Sequence, residues 1–361
     1  MSASPPFFIV GSGRSGSTLL RMMLASHSRL TIPPETWFLL PLVDNFPISR
    51  ELSCDELARA IDVMTSHYRW PDMKIDAKEF SERARRLVNP RVRDLAEIVY
   101  GDHLRKSRKV RWGDKTPPYV QIVPQLSQLF PGARFLYLVR DGRDVTRSFQ
   151  SLMMYGKTVR QNTIEWRESN RWERKWRSSG YATSMLRVRY EDLILDADAT
   201  LRGICEFIGE KFEPQMLTWQ DDVERLVPER ERHVHTKLRR TVSHEDIARW
   251  RREMSGHDVF VAESLMGRDL RRFGYSCRFE SPAWRPLLWC THVYFTVLLP
   301  LSPFRVLRGL VRLVGMHRQG ARERLADERA LTSGKSAGAK RSEPVPRAVE
   351  PSRLGWRRFF W

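Results

Sequence analysis

Apolar runs of strand length alternate with segments of helical periodicity along the first 280 residues. Phe7–Val10 and Ala133–Val139 are typical of buried strands, and each precedes a turn and a helical pattern. Leu186–Leu193 predicts a further short strand. Strands that alternate with helices in this way usually form parallel sheets. The pattern therefore predicts an α/β fold, a three-layer sandwich with a central, mainly parallel sheet.

A glycine-rich loop follows the first apolar run. Gly11, Gly13 and Gly16 allow backbone N–H groups to crowd around an anion without side-chain clashes. The helix predicted from Ser17 adds unpaired N–H groups and the positive end of its dipole. Arg14 lies within the loop, and its guanidinium suits a bidentate grip on sulfate or phosphate. The loop predicts a phosphate-binding site in a P-loop-like fold.

The loop departs at one position from the nucleotide-binding pattern G-x-x-x-x-G-K-[ST]. Gly11, Gly16 and Thr18 match the pattern, whereas Ser17 occupies the lysine position. In magnesium-dependent nucleotide hydrolases that lysine contacts the β and γ phosphates, so its absence argues against ATP or GTP turnover. A nucleotide kinase or other P-loop NTPase remains an alternative, as does a glycine turn that binds nothing.

The stretch Arg14–Leu20, Arg-Ser-Gly-Ser-Thr-Leu-Leu, resembles a known family motif. It is similar to the 5′-phosphosulfate loop of sulfotransferases that use 3′-phosphoadenosine-5′-phosphosulfate (PAPS), especially the branch that includes protein-tyrosine sulfotransferases. The resemblance covers residues 7–278 and implies a PAPS-binding domain over residues 1–280, with no metal required. It implies that the co-substrate is held by Gly13, Arg14, Ser15, Gly16, Ser17 and Thr18.

Two further motifs resemble catalytic positions of this branch. Glu35 lies 21 residues after Arg14 and follows two prolines, so we predict that it opens a helix and holds its carboxylate at a fixed angle. It resembles the general base of the tyrosylprotein branch. Asp114–Pro117 resembles the segment that brings a lysine, here Lys115, to the sulfuryl group. The alternatives are a glutamate that serves the helix dipole and a surface lysine in a turn.

The second strand-turn-helix unit carries the features expected for the other end of PAPS. The spacing of Arg140 and Ser148 resembles the family's grip on the 3′-phosphate, a group that ATP lacks, with the serine on a helix predicted over Val145–Met153. The resemblance places Tyr190 near the adenine, where an aromatic face can stack. A solvated Arg-Asp-Gly-Arg turn is the alternative.

Two regions show the resemblance more loosely. The basic segment before a helix predicted around His244–Arg252 implies that Lys237, Arg239 or Arg240 closes on the 3′-phosphate. Residues 44–108 instead predict amphipathic helices, and we expect this helical insertion to build the acceptor side of the site. The helices are predicted over Asp55–Tyr68, Lys78–Leu87 and Asp94–Ser107.

The formal net charge of +19 is distributed unevenly. Residues 281–361 contain 15 Lys and Arg against 5 Asp and Glu, a balance of +10, so residues 1–280 carry +9. That moderate bias suits a polyanionic small molecule, and we expect no nucleic-acid partner. Four widely spaced cysteines make a disulfide framework and a zinc site poor fits.

The two ends of the chain bear on localisation. Only Met1–Pro6 precede the first predicted strand, and they lack the features of a secretory signal, so we expect a cytoplasmic enzyme of bacterial type. Residues 281–320 form an apolar and basic appendage. Its uncharged run Pro286–Phe304 contains three prolines and makes a poor transmembrane helix. We expect residues 286–316 to lie in an anionic membrane interface, at the inner face of the membrane.

The last segment completes the predicted organisation. Residues 321–361 are predicted to be a disordered basic tail whose aromatic end, Trp356–Trp361, forms a second membrane contact. Packing of residues 286–316 against the catalytic domain, or against a second subunit of a homodimer, is the alternative.

Together the motifs predict sulfuryl transfer from PAPS to a lipid, glycan or tyrosyl hydroxyl. Glu35 would take the acceptor proton, and Arg14 and Lys115 would stabilise the sulfuryl oxygens and the leaving phosphate. A non-enzymatic membrane-binding or polyanion-binding protein would account for the charge, but not for two ordered phosphate sites.

Overall fold

A computed structural model describes residues 4–151, 158–222, 243–280 and 282–295. The chain divides into two compact units, Met1–Arg278 and Phe279–Trp361. In the first unit five strands form one sheet in the order β2-β3-β1-β4-β5, and every neighbouring pair is parallel. This confirms the predicted fold class. The strands are β1 Phe7–Gly11, β2 Leu30–Thr31, β3 Arg111–Lys115, β4 Arg134–Val139 and β5 Met185–Arg189.

Helices cover both faces of the sheet. Short 3₁₀ turns occupy Trp70–Met73, Pro117–Ile122, Pro214–Leu217, Trp219–Asp222, His244–Asp246 and Pro282–Trp284, and a π-helical turn occupies Arg177–Tyr181. The α-helices are α1 Ser17–Ala25, α2 Leu39–Asn45, α3 Cys54–Thr65, α4 Ala77–Arg85, α5 Val92–Ser107, α6 Val123–Leu129, α7 Gly142–Gln150, α8 Val159–Trp176, α9 Tyr190–Leu195, α10 Ala197–Ile208, α11 Trp250–Glu253, α12 Gly256–Arg272 and α13 Arg285–Val293.

The alternation of side chains along the strands divides the core into two layers. Phe7 and Ile9 point to a face where they join a buried cluster with residues of α1 and α10. Phe8 points to the other face, where its ring stacks on Phe135 with centroids 5.6 Å apart. Burying rings of this size contributes roughly 2–3 kcal/mol each. The sheet is therefore held from both sides, and its carboxyl edge is a rigid platform.

Three local predictions were wrong. Glu35 does not open a helix, because Trp37 takes a left-handed φ of +57° and α2 begins only at Leu39. Tyr190–Leu195 is helical rather than the end of a strand, since its buried residues fall at helical spacing. The helix predicted around His244–Arg252 is broken at Ala248, whose φ is +52°.

The helical insertion lies between β2 and β3, and its three predicted helices correspond to α3, α4 and α5. All four cysteines are free. In the second unit the described residues form a 3₁₀ turn at Pro282–Trp284 and the helix α13. None of the helices within the described ranges is long and apolar enough to cross a membrane. The predictions for residues 296–361 lie outside the described residues.

Candidate active site

The carboxyl ends of the strands bring the predicted residues to one edge of the sheet. Arg14 follows β1, Glu35 follows β2, Lys115 ends β3, Arg140 follows β4 and Tyr190 follows β5. Parallel strands all end at the same edge, so residues far apart in sequence meet there. The five positions form one candidate site.

The loop between β1 and α1 has the geometry of an anion cradle. Gly16 is the N-cap of α1 with φ +92°, and no acidic residue lies in the first turn of the helix. A Cβ at Gly16 would collide with the ring of Tyr190, so glycine is required both for the backbone conformation and for space. Ser17 and Thr18 begin the helix, where N–H groups are free to bind an anion.

Two loop residues take conformations that serve the shape of the cradle. Arg14 adopts a left-handed φ of +63°, which is uncommon for a residue with a side chain. Ser15 is fully buried, and its hydroxyl lies 2.9 Å from the Oγ of Ser12. The side chain of Ser15 therefore braces the loop, while its backbone N–H remains the candidate donor to a ligand.

Ser148 faces the loop arginine. Arg14 Nε donates to Ser148 Oγ at 3.3 Å, which joins the phosphate loop to α7 across 134 positions of sequence. The same helix covers Gly13, because Phe149 Cζ lies 3.2 Å from where a Cβ on that glycine would stand. Within the described residues, the hydrogen bond of Ser148 thus runs to Arg14, whereas the sequence pattern paired this serine with Arg140.

Glu35 and Lys115 form the centre of the site. Lys115 Nζ donates to Glu35 Oε1 at 2.5 Å and to Thr18 Oγ1 at 3.4 Å. The lysine is 1% exposed, so it is not a surface residue in a turn. A carboxylate, an ammonium group and the first turn of α1 are therefore in contact.

Two residues that the sequence did not single out complete the shell of Glu35. Trp37 Nε1 donates to Glu35 Oε2 at 2.8 Å, and Arg69 Nη2 donates to the same oxygen at 3.3 Å. Trp37 lies only two residues from Glu35 in the sequence, so an indole donor this near was the one signal from which the contact could have been predicted. Arg69 belongs to the helical insertion, and no sequence pattern connects it to Glu35.

Opposing effects set the pKa of Glu35. Burial by itself raises the pKa, but the charges of Lys115 and Arg69 and the hydrogen bonds from Lys115 and Trp37 outweigh burial and lower it to about 2. Glu35 is therefore ionised at neutral pH, and it is a weak base for as long as the pair with Lys115 persists.

Arg140 lies against Tyr190 at the far side of the loop. The guanidinium carbon is 4.2 Å from the centroid of the Tyr190 ring, a cation–π contact that orients the arginine. Arg140 Nη2 donates to the carbonyl of Asp246 at 3.0 Å, whereas its buried Nε has no hydrogen-bond partner among the described residues. Tyr190 is 7% exposed, with its ring between Gly16 and Arg140.

The support of Arg140 comes from a segment that the sequence assigned only loosely. Asp144 Oδ2 lies 3.6 Å from Arg140 Nη2, and Asp144 Oδ1 accepts a hydrogen bond from the backbone N–H of Trp250 at 2.8 Å. Residues 244–253 thus line the side of the site on which Arg140 lies. Lys237, Arg239 and Arg240, which precede this segment, lie outside the described residues.

The described residues contain no group of three or more His, Cys, Asp or Glu side chains that could hold a metal ion. Positive charge at the site comes from arginine and lysine side chains, among them Arg69, Lys115 and Arg140. A parallel sheet with a glycine-rich loop at its switch point between β1 and β4, and with cations at the strand ends, defines an α/β protein of P-loop-like class.

The chain belongs to the sulfotransferase family, because the sequence model described as "Sulfotransferase family" matches residues 5–214. It is 30% identical over 148 residues to the nodulation protein NoeE of Sinorhizobium fredii, which is 40% of this chain and 30% of that protein. It is 27% identical over 226 residues to protein-tyrosine sulfotransferase A of Caenorhabditis elegans, covering 59% of this chain and 52% of that protein. The matches thus span about a third to a half of these relatives.

Two solved structures show the same fold. The sulfotransferase domain of the Synechococcus olefin synthase has a TM-score of 0.55 at 24% identity, over 76% of this chain and 96% of that domain. The sulfotransferase domain of the curacin biosynthetic pathway has a TM-score of 0.50 at 23% identity, over 77% of this chain and 100% of that domain. Both confirm the α/β architecture predicted from the strand pattern.

Proposed function

We propose that this chain transfers the sulfuryl group of PAPS to a hydroxyl acceptor, with Glu35 as general base. The observation that carries the proposal is the contact of Glu35, Lys115 and Thr18 at the start of α1. Sulfuryl transfer needs a base for the acceptor proton and a cation for the transferred and leaving oxygens. This cluster offers both within one side-chain length of an anion cradle.

The residues present fit a donor with phosphate at both ends. The cradle at Gly16, with Arg14 beside it, suits the 5′-phosphosulfate. Arg140 suits the 3′-phosphate, because its buried Nε lacks a partner among the described residues and an anion would satisfy it. Ser148 would join from α7, and Tyr190 would lie near the adenine. The loop cations Lys237, Arg239 and Arg240 are proposed to close on this end.

In the proposed reaction an acceptor hydroxyl oxygen forms a bond to sulfur while the bond from sulfur to the bridging phosphate oxygen breaks. The hydroxyl proton passes to Glu35, and the electron pair of the broken bond leaves with 3′-phosphoadenosine-5′-phosphate (PAP). Arg14 and Lys115 neutralise the charge that develops on the transferred and bridging oxygens. The products are a sulfate ester, PAP and a proton.

Glu35 must become a stronger base during the reaction than it is in the ion pair. When Lys115 Nζ turns to the sulfuryl oxygens, Glu35 loses its strongest positive neighbour, and the burial that opposes the ion pair then raises its pKa. Donor binding would in this way prepare the base, and we expect the donor to bind before the acceptor.

The acceptor is proposed to be a lipid, glycan or tyrosyl hydroxyl. The test is incubation of the full chain with ³⁵S-labelled PAPS and separate lipid, glycan and peptide fractions of a host extract. Label in one fraction supports the proposal and identifies the acceptor class. No label in any fraction, together with no heat on calorimetric titration with PAP, contradicts it. Magnesium-dependent ATP hydrolysis would instead favour the nucleotide hydrolase.

We further propose that the protein is cytoplasmic and binds peripherally to the inner face of an anionic membrane through residues 286–316 and the C-terminal end. Leu287 and Trp289 of α13 are 51% and 67% exposed, and tryptophan favours the membrane interface. The full chain should cosediment with vesicles containing anionic phospholipid and not with neutral vesicles. Equal binding to both, or retained binding by a Leu287→Ser, Trp289→Ser variant, would contradict the proposal.

A further inference from the structure

A buried hydrogen-bond network joins the two segments that carry Glu35 and Lys115. Asp114 and Thr116 flank Lys115, and Thr36 follows Glu35 directly. Thr36 Oγ1 donates to Asp114 Oδ2 at 2.7 Å, and the backbone N–H of Thr36 donates to Thr116 Oγ1 at 3.1 Å. Asp114, Thr116 and Thr36 are 0%, 0% and 2% exposed. Three neighbours of the catalytic pair are thus bonded across the gap between two chain segments.

Two buried tyrosines extend this network. Tyr100 of α5 donates to Asp114 Oδ2 at 3.0 Å. The hydroxyl of Tyr119, in the turn after β3, lies 2.7 Å from Thr36 Oγ1 and accepts the backbone N–H of Leu39 at 3.1 Å. Both tyrosines are fully buried. The network therefore reaches from the helical insertion to the first residue of α2.

The carboxylate of Asp114 determines which groups of the network donate hydrogen bonds and which accept them. An ionised carboxylate only accepts hydrogen bonds, so the hydroxyls of Thr36 and Tyr100 must both donate to it. Because the Thr36 hydroxyl proton is used in this way, Tyr119 must donate to Thr36, and its oxygen is left to accept from Leu39. One arrangement of protons pairs the hydroxyls of Thr36, Tyr100 and Tyr119, which favours one fixed geometry, while Asp114 Oδ1 has no hydrogen-bond partner among the described residues.

The Glu35 segment depends on this network for its position. Residues 32–38 contain no helix or strand, and Trp37 takes a left-handed φ that only surrounding contacts stabilise. Regular hydrogen bonding therefore does not fix the distance between Glu35 and β3. The bonds of Thr36 to Asp114 and Thr116 do so instead, one residue away from the catalytic carboxylate.

We infer that Asp114, acting through Thr36 and Tyr119, is a positioning residue that holds Glu35 and Lys115 in register for transfer. The inference rests on the sulfuryl-transfer function proposed above and adds residues that the resemblance does not assign. Asp114 does not itself touch the reacting atoms. Burial raises its pKa to about 6, which shows that the carboxylate is kept at an energetic cost that a neutral side chain would avoid.

The test compares variants that remove single hydroxyls. Thr36→Val and Tyr119→Phe keep side-chain volume and break the chain of donors, whereas Thr36→Ser keeps the hydroxyl. Tyr137→Phe is the matched control, because Tyr137 is an equally buried tyrosine whose hydroxyl bonds Asn170 of α8 and not a residue of this network. Three quantities are measured for each full-length variant: kcat with ³⁵S-labelled PAPS and the extract fraction that wild type labels, the Kd for PAP, and Tm.

A positioning role predicts a split between kcat and binding. Thr36→Val and Tyr119→Phe should lower kcat by about 10-fold to 100-fold, because small displacements of reacting groups are costly, while the Kd for PAP changes less than about threefold. Thr36→Ser should stay within about threefold of wild-type kcat. Tyr137→Phe should lower Tm by as much as Tyr119→Phe yet retain kcat.

Other results would overturn the inference in distinguishable ways. Wild-type kcat in Thr36→Val and Tyr119→Phe removes the positioning role alone, and the proposed function stands. If kcat falls in proportion to Tm, and by the same amount in Tyr119→Phe and Tyr137→Phe, the network is merely structural. If Thr36→Val does not fold, Thr36→Ser and Tyr119→Phe decide the question by the same criteria. No label and no PAP binding with wild type would refute the proposed function itself.

Discussion

Lys115 Nζ lies 2.5 Å from Glu35 Oε1, although 80 positions of sequence separate the two residues. The contact exists because β2 and β3 are parallel neighbours, so the residue that ends β3 meets the segment that leaves β2. The helical insertion fills the interval between the two strands and contributes Arg69 to the same carboxylate. The acceptor side and the donor side of the proposed site therefore converge on Glu35.

Replacing Glu35 by glutamine should lower turnover by about 100-fold to 10,000-fold, which is the range for loss of a general base. Affinity for PAP should stay equal or increase, because the variant lacks a negative charge beside the bound anions. Steady-state transfer from ³⁵S-labelled PAPS and calorimetric titration with PAP measure the two effects.

The matched control for this substitution is Glu97→Gln. Glu97 is also paired with an arginine, at 2.7 Å from Arg93 on α5, but it lies away from the candidate site. The turnover of the Glu97→Gln variant should remain within about twofold of wild type. A Glu35→Gln variant with full activity would remove Glu35 as the base.

Replacing Arg140 by alanine should discriminate between two donors. Loss of a charge-assisted bond costs about 1.5–3 kcal/mol, so the Kd for PAPS should rise about 10-fold to 100-fold. Adenosine-5′-phosphosulfate lacks the 3′-phosphate, and its Kd should change little. Competition titrations with both compounds give the ratio.

Arg134→Ala is the control for Arg140→Ala, because Arg134 starts the same strand and bonds the carbonyl of Thr183 at the opposite edge of the sheet. Both donors should bind this variant as they bind wild type. Equal weakening of the two donors in Arg140→Ala would contradict the assignment of Arg140 to the 3′-phosphate.

Two glycines of the phosphate loop should respond differently to alanine. Gly16→Ala places a Cβ at a left-handed φ and against the Tyr190 ring, so unfolding free energy should fall by about 1–3 kcal/mol or more. Gly13→Ala meets only the end of the Phe149 side chain, at 3.2 Å, and should cost less. Urea unfolding of the two variants measures the difference, and equal losses would argue against the role given to Tyr190.

The pH dependence of stability should report on Asp114. Its pKa of about 6 in the folded chain lies above the ordinary value of 3.8, so this group stabilises the fold at low pH and loses that contribution as pH rises through 6. As the pH falls from 7 to 5, the free energy of unfolding of wild type should increase by about 1 kcal/mol relative to that of the Asp114→Asn variant. Urea unfolding at both pH values measures it.

The control for the pH experiment is Asp62→Asn, which removes an exposed carboxylate from α3. Its stability relative to wild type should be nearly the same at both pH values. A relative gain of Asp114→Asn as the pH falls would have the wrong sign and would show that the buried carboxylate is not destabilised when ionised.

Sequence patterns predicted most of the features that lie within a single strand and the turn that follows it. The phosphate loop from Gly11 to Thr18 and the turn at Arg140 were predicted because a strand, a glycine or charged turn and a helix follow one another without interruption. The helical start predicted at Glu35 was wrong, since the bonds of Thr36 to Asp114 of β3 and to Thr116 just beyond it compete with the helix. Short-range pattern fails where tertiary hydrogen bonds replace local ones.

Contacts between distant segments were not predictable in the same way. The pairing of Arg14 with Ser148 and the approach of Arg69 to Glu35 depend on how separate helices pack on the sheet. The same is true of Asp144, which holds Arg140 and the segment at Trp250 together. A single sequence carries no periodic signal for such pairs.

The sequence by itself determined the α/β class, the anion cradle and the identity of the charged residues, because glycine conformation, helix dipoles and side-chain charge are local properties. Only the tertiary structure decided which groups meet: it paired Lys115 with Glu35, buried Asp114 against Tyr100 and Thr36, and placed the Tyr190 ring against Gly16. The physical reason is that parallel strand order and core packing, rather than neighbouring residues, set the distances on which ion pairs and pKa values depend.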